Sequence, residues 1–339
     1  MILAMHNQCA KTSEHTQLMK IKTHKILFLF KITLAALAVS ASLTAMQAAI
    51  VVSSTTGVFR YSTGGVLEHT YQGPAGWQGV AADNSTGNIY MTATNVNGAL
   101  FQFAYDGTTP SKTIMSSAYA GNLSKATIGV TFNNGLVIAN PYFYSLAAAE
   151  VSGFNPADPT DTTPVAGTNR SFYPSNATGI TPSTVAGRYY FTDFTGKVFQ
   201  LNNFGIAGPS PSAIQIATGL GGGIRGLILS PDESSLFVAD QNLSKVIQIS
   251  IATGVATDFI TTGVSEATDV LRDGSDLYVS TNTGVDKYLL NGTLVQDNII
   301  ALTNARYMTT AGHEASTYGN FVVIGLAVYM VRRRQKLAQ

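Results

Sequence analysis

Between residues 49 and 312, short apolar runs are separated by turn residues, a pattern typical of β-strands. One unit recurs along this stretch. A first strand opens with glycine and continues with hydrophobic residues, a second ends in a small residue and Asn or Asp, and a third leads to a Gly-rich turn. The first strand occurs as GVAAD from Gly79, GVTFN from Gly129, GITPS from Gly179, GLILS from Gly226 and, more loosely, DVLRD from Asp269.

The spacing of these starts indicates the fold. Successive units begin 50, 50, 47 and 43 residues apart, close to the roughly 40–50 residues of a four-stranded propeller blade. Five blades are therefore predicted to begin near residues 77, 127, 177, 224 and 267. A β-sandwich would not explain the recurrence, and a seven-bladed ring is the other alternative.

The two ends of this region complement each other. NARYMTT, from Asn304, resembles a first strand without partners, whereas residues 49–71 resemble later strands without a first. Pairing them removes the open edges of the ring. We therefore predict an all-β, six-bladed β-propeller over residues 49–312, closed by pairing of the N- and C-terminal strands.

Residues 1–48 are predicted to be a leader. From Met19, which is the alternative start, a lysine-rich segment precedes an apolar helix and a small-residue exit, as in a secretory signal peptide. The pattern leaves cleavage open among Ala45, Ala48 and Ala49, and an uncleaved membrane anchor is the alternative.

Residues 313–339 are predicted to be a sorting tail. An apolar run from Phe321 to Val331, predicted as a hydrophobic helix, is followed directly by three arginines. The run is short for a hydrocarbon core of roughly 30 Å. The tail resembles the PEP-CTERM sorting signal, with His313 and Ala315 where that motif has prolines. The matching positions are Glu314, Ser316, Thr317, Tyr318, Arg332, Arg333 and Arg334.

This resemblance implies an address and a partner. It implies recognition by an exosortase, membrane attachment through the tail before processing, and a link to exopolysaccharide at the surface or in the matrix of a Gram-negative bacterium. A plain C-terminal membrane anchor is the alternative. Either alternative places the body outside the cytoplasm.

Charge and cysteine content exclude several functions. Only 12% of residues are charged, and the 11 basic and 17 acidic residues between the two ends give the body a formal charge of −6. An acidic body argues against nucleic-acid binding. The single cysteine, Cys9, lies in the leader, and His69 is the one histidine of the body. Thiolate catalysis, Cys-based metal sites and His-dependent triads are therefore not expected.

The repeat unit resembles that of NHL-type and gluconolactonase-like propellers, most closely at LSPDESSLFVAD. In gluconolactonases, Asn, Asp and Glu at the inner strands hold a divalent metal. Here Asp269 is the one matching ligand, and calcium stays open as a cofactor. The metal-dependent lactonase is therefore the alternative to a non-enzymatic protein. The other inner-strand starts carry Gln78, Ile128, Thr178, Arg225 and Thr268.

Candidate binding residues follow from the repeat. Asn95, Asn140, Asp193, Asp240 and Asn282 end the second strands, either as a polar ring for ligands or, as Asx-turns, for the fold alone. Trp77 is a candidate platform for a sugar and Arg225 for an anion. We predict a surface or matrix propeller that binds a polysaccharide or surface protein, with Arg225, Asp269, Trp77, Asp193 and Asp240 as candidate ligand-binding residues. A structural protein without a ligand is a further alternative.

Overall fold

The computed structural model describes residues 49–73, 76–93, 99–115, 125–133, 136–143, 149–154, 169–172, 177–205 and 211–312. The predicted leader and sorting tail, with Glu314, Ser316, Thr317, Tyr318 and Arg332 to Arg334, lie outside these ranges. Within them, none of the secondary structure is a helix with the length and apolar character needed to cross a bilayer.

Twenty-four strands form six four-stranded antiparallel sheets. Five sheets use consecutive strands. They are β4 (Trp77–Asp83), β5 (Asn88–Ala93), β6 (Ala99–Phe103) and β7 (Lys112–Met115); β8 (Lys125–Asn133), β9 (Leu136–Phe143), β10 (Ala149–Phe154) and β11 (Asn169–Phe172); β12 (Ala177–Pro182), β13 (Tyr189–Asp193), β14 (Lys197–Asn202) and β15 (Ser212–Ala217); β16 (Ile224–Leu229), β17 (Ser235–Asp240), β18 (Lys245–Ser250) and β19 (Ala256–Ile260); and β20 (Asp269–Asp273), β21 (Asp276–Ser280), β22 (Gly284–Leu289) and β23 (Leu294–Ala301).

The remaining sheet is a composite of both ends of the described chain. Its order is β24 (Ala305–Ala311), β1 (Ala49–Ser54), β2 (Val58–Ser62) and β3 (Leu67–Tyr71). Ala49 pairs with Ala311, and Val52 pairs with Met308. The terminal strands therefore pair as the sequence predicted. Five blades come from continuous segments of the chain, and the predicted sixth corresponds to this composite sheet.

The first strand of every sheet faces a common axis. The six strands β4, β8, β12, β16, β20 and β24, here called the inner strands, each contact the next, and β24 contacts β4. This closed circle of meandering sheets is the arrangement of a β-propeller.

The hydrophobic core lies between adjacent sheets. Successive residues of a strand point to opposite faces. In β20, Val270 packs with Phe237 and Leu277 between two sheets, whereas Leu271 packs with Ile50 in the next cluster along. Each inner strand therefore needs apolar residues on both faces.

Hydroxyl groups join neighbouring sheets near the axis. They lie at the small-residue position that ends the second strands. Ser53 donates to the carbonyl of Gln78, Thr192 to that of Arg225, and Ser280 to that of Arg306. In each case the acceptor lies on the inner strand of the following sheet. These bonds use carbonyl groups that the bulged inner strands leave without a strand partner.

Candidate binding site at one end of the channel

The inner strands enclose a cavity of about 220 Å³. Each inner strand ends its sheet, so its inner edge presents unpaired backbone N–H and C=O groups to the cavity. Thr131, Thr181 and Thr309 add hydroxyl groups to the lining. The volume is below the roughly 300–1,000 Å³ of typical small-molecule sites, but it is polar and large enough for water.

Tyr307 closes one end of this cavity. Its N–H donates to the hydroxyl of Ser53, just as the N–H of Gly179 donates to that of Thr192, so Tyr307 occupies a position that is glycine in four of the other inner strands and Asp269 in β20. The phenol reaches across the channel and donates to the backbone oxygen of Thr178 at 3.3 Å. Burial raises the pKa of Tyr307 far above its usual value. The corresponding glycines are Gly79, Gly129, Gly179 and Gly226.

Asp269 holds the neighbouring inner strand. Its Oδ2 atom accepts the backbone N–H of Met308 at 2.8 Å, and only 6% of the residue is exposed. Burial raises the pKa of the Asp269 carboxyl to about 8. At neutral pH the group is therefore mostly protonated and serves as a bridge from β20 to β24.

Arg225 lies at the end of the channel that Tyr307 closes. Its Nε donates to Oε1 of Gln241 at 3.0 Å, and its Cζ is 4.7 Å from the ring centroid of Phe194. It also forms a hydrogen bond with the Tyr307 phenol, which partly offsets the raised pKa of that group. All three partners are uncharged, and in the described part of the chain no carboxylate lies within salt-bridge distance of Arg225. The guanidinium is therefore oriented without being neutralised.

Arg306 occupies the position on β24 that Arg225 occupies on β16. Both residues offer their backbone oxygen to a hydroxyl of the preceding sheet. Burial lowers the pKa of Arg306, Tyr307 opposes this, and the nearby charge of Arg225 lowers it further. Two guanidinium groups thus share one end of the channel.

Loops around Arg225 complete this end of the molecule. The connector from β15 to β16 is bonded to the turn after β13, through the N–H of Gly223 and the carbonyl of Phe194 at 3.0 Å. Gln241 donates its N–H to Gly223. These loops and the two guanidinium groups form a surface that we call the arginine face. Its members are Phe194, Gly219 to Gly223, Arg225, Gln241, Leu243 and Arg306.

Asp193 caps its own turn. Its Oδ1 accepts the N–H groups of Thr195 and Lys197, both at 2.9 Å, and the residue is fully buried. Asp240 likewise accepts the N–H of Leu243 at 2.9 Å, and burial raises its pKa. Neither residue lines the cavity. This geometry is that of the Asx-turns that the sequence offered as the structural interpretation.

The predicted polar ring is out of register in sheet β20–β23. Thr281, and not Asn282, holds the position of Asp193, because its hydroxyl accepts the N–H groups of Thr283 and Gly284. The assignment of Asn282 to the ring was therefore wrong by one residue. Asn95 lies outside the described residues, and Asn140 lies in β9, paired with Gly129.

The other predicted positions also cluster near the inner strands. Trp77 opens β4 opposite Ala93, and Gln78 follows it. Thr178 is buried and donates to the carbonyl of Ile224 at 3.0 Å. The hydroxyl of Thr268 donates to the backbone carbonyl of Glu266. Ile128 lies in β8. In the ranges that the structure describes, His, Cys, Asp and Glu side chains form no group of three suited to a metal.

Sequence reasoning missed Arg306 and Tyr307. The signal was present, because aligning NARYMTT with GIRGLIL places Arg306 on Arg225 and Tyr307 on Gly226.

Comparison with known proteins supports the fold. No protein-family model matches the chain, and no curated protein matches it. A chain in a crystal structure of a nidogen/laminin complex aligns with a TM-score of 0.61 and 17% identity, over 78% of this chain and 98% of that one. A protein of unknown function from Bacteroides caccae aligns with a TM-score of 0.59 and 12% identity, over 78% and 99% of the two chains.

The fold is a β-propeller. At these identities the likeness extends to the fold alone. A structure described as a putative 6-phosphogluconolactonase from Bacteroides uniformis aligns with a TM-score of 0.48 and 17% identity, over 74% of this chain and 82% of that one. That score is too low to carry an argument about activity.

Proposed function

We propose that this protein is an exported, non-enzymatic propeller that binds a polysaccharide or surface partner through one ring face. The proposal is carried by the bonding partners of the polar groups near the axis. Tyr307 is bonded across the channel and Asp269 is bonded to β24, so these groups maintain the ring. Arg225, by contrast, is half-buried, and the partners that hold it are uncharged.

The proposal includes two finer assignments. The composite sheet acts as a sixth blade, supported by the continuous contact of the six inner strands. The C-terminal residues act as a PEP-CTERM-like sorting signal that delivers the propeller to the cell surface or matrix. The second assignment rests on the sequence of residues 313–339.

One set of assays tests binding against hydrolysis. The purified full chain is applied to immobilised extracellular polysaccharides and incubated separately with aldonolactones in the presence of Ca²⁺ or Mg²⁺. We expect retention on a polysaccharide, no lactone turnover and no metal-dependent change in the unfolding midpoint. Lactone turnover that Asp269→Asn abolishes would replace the proposal with a metal-dependent hydrolase.

Localisation is tested in a host that carries an exosortase. The native chain is compared with a variant in which Arg332, Arg333 and Arg334 are replaced by glutamine. We expect the native chain in the surface or medium fraction and the variant retained in the cell membrane fraction. Equal distribution of the two chains would contradict the sorting assignment.

A further inference from the structure

We propose that the arginine face binds carboxylate groups of an acidic polysaccharide, with Arg225 and Arg306 as the anion-binding residues. This inference rests on the proposed function and names the class of its ligand. Guanidinium groups suit carboxylates because their planar donors form paired, charge-assisted hydrogen bonds. Two such groups at one channel end provide contacts for adjacent acidic units of a polymer.

The charges on this face favour an anion although the body as a whole is acidic. Asp193 and Asp240 lie in the same loops but are fully buried, and they accept hydrogen bonds from the backbone of their own turns. Glu266, an exposed acid of the connector before β20, borders the face, because its N–H donates to the hydroxyl of Ser244 at 3.0 Å, next to Leu243. Among the members of the arginine face, the charged side chains are therefore those of Arg225 and Arg306, and Glu266 lies at its border.

The contacts of Arg225 order its side chain without pairing its positive charge with a carboxylate. Gln241 fixes Nε, and the ring of Phe194 lies against the guanidinium plane. Both interactions restrict the side chain without adding a negative charge. An arginine that is already ordered loses less conformational entropy on binding.

The shape of the face suits a chain of sugar rings. The connector carries glycine at positions 219, 221, 222 and 223, and a Cβ atom at Gly219 would meet nothing within 4 Å. The backbone is therefore open at Gly219, whereas Gly223 packs against the side chain of Asn242. Phe194 is 38% exposed beside it, and Leu243 is 55% exposed and packs over Gly221. One aromatic edge among polar groups suits a sugar ring better than a protein partner, which needs a larger apolar centre.

Binding is tested with polygalacturonate, a polymer of uronic acid, and with pullulan as a neutral control. The affinity of the full chain for each polymer is measured by calorimetric titration at low and high salt. We expect polygalacturonate to bind and to weaken as NaCl rises from about 50 to about 500 mM, because added salt screens surface charges. Pullulan should bind at least roughly tenfold more weakly, a difference of about 1.4 kcal/mol.

Two variants and two matched controls assign the binding to this face. Arg225→Gln should weaken polygalacturonate binding by roughly tenfold or more. Arg188→Gln, at the opposite end of the sheet where Arg188 donates to Asn202 at 3.4 Å, should leave it unchanged. If Arg225→Gln does not fold, Leu243→Glu decides the question. It adds a negative charge at an exposed position, and Leu243→Gln controls for the loss of the leucine.

Three results would overturn the inference. They are native affinity in both Arg225→Gln and Leu243→Glu, binding of pullulan as tight as that of polygalacturonate, and equal competition by polyglutamate. The last would assign the face to acidic polypeptides. Absence of polygalacturonate binding together with retention on a neutral polysaccharide would refute this inference and leave the proposed function intact. Absence of binding to any polysaccharide would refute both.

Discussion

Asp269→Asn isolates the energetic role of a buried carboxyl that the fold uses as a neutral group. Burial raises its folded-state pKa to about 8, against about 4 in an unfolded chain. Between these pH values the folded protein holds a proton that the unfolded chain releases. The contribution of this group to stability is therefore undiminished below about pH 4 and falls as the pH rises towards 8.

The magnitude follows from the width of that interval. One pKa unit corresponds to about 1.4 kcal/mol, so a shift of about four units gives an upper bound of roughly 6 kcal/mol above pH 8. Such a loss is large beside a typical domain stability of about 5–15 kcal/mol. Asparagine retains an oxygen that accepts the N–H of Met308 and does not ionise. The stability of the variant relative to the native protein should therefore increase as the pH rises.

Urea unfolding of both chains at about pH 5, 6.5 and 8.5 measures this effect. The difference in unfolding free energy, variant minus native, should increase by several kcal/mol across the series. Taking the difference removes the titration of groups that both chains share. Asp273→Asn, on the same strand but outside the cavity lining, is the matched control. A difference that varies by less than about 0.5 kcal/mol would refute the assigned role of Asp269.

Three further predictions concern closure and packing near the axis. Thr192→Val removes the hydroxyl that bridges to the carbonyl of Arg225; we expect a loss of about 1–3 kcal/mol in urea unfolding, and an unchanged free energy would contradict the bridge. Gly226→Ala places a Cβ atom 1.6 Å from Oδ1 of Asp269; we expect a loss of at least about 2 kcal/mol in unfolding free energy, and an unchanged unfolding midpoint would argue against this packing. Truncation after Asn304 removes β24 and leaves β1 and β4 without their neighbour; size-exclusion chromatography should show association or aggregation, whereas a stable monomer would show that closure is dispensable.

Much of the fold was predictable because it depends on local pattern and period. Turn residues bounded the strands, and the recurrence of one unit set the number of strands in each sheet. The pairing of β24 with β1 was predictable because each end of the region lacked the strands that the other supplied. The small residue near the end of each second strand was recognised as part of the repeat, but its hydrogen bond to the next sheet was not predicted.

The site was less predictable because its contacts join positions far apart in the chain. Tyr307 reaches Thr178, which is 129 residues away, and no local pattern indicates that distance. Likewise, the raised pKa of Asp269 arises from its burial among neighbouring inner strands. The sequence identified Asp269 by its chemical type as a candidate ligand, but it did not indicate that the carboxyl accepts the backbone N–H of Met308.

Sequence alone therefore determined the strands, their repeat and the closure of the ring, since each depends on periodic burial and turn chemistry. Tertiary structure alone decided which side chains near the axis maintain the fold and which reach the surface. Asp193 ends a second strand and Arg225 lies at the start of a first strand, and both are polar residues at recurring positions of the repeat unit. The first is buried by its own turn, and the second is held at the arginine face by Gln241 and Phe194. That difference depends on how the loops of neighbouring sheets pack, which the repeat does not encode.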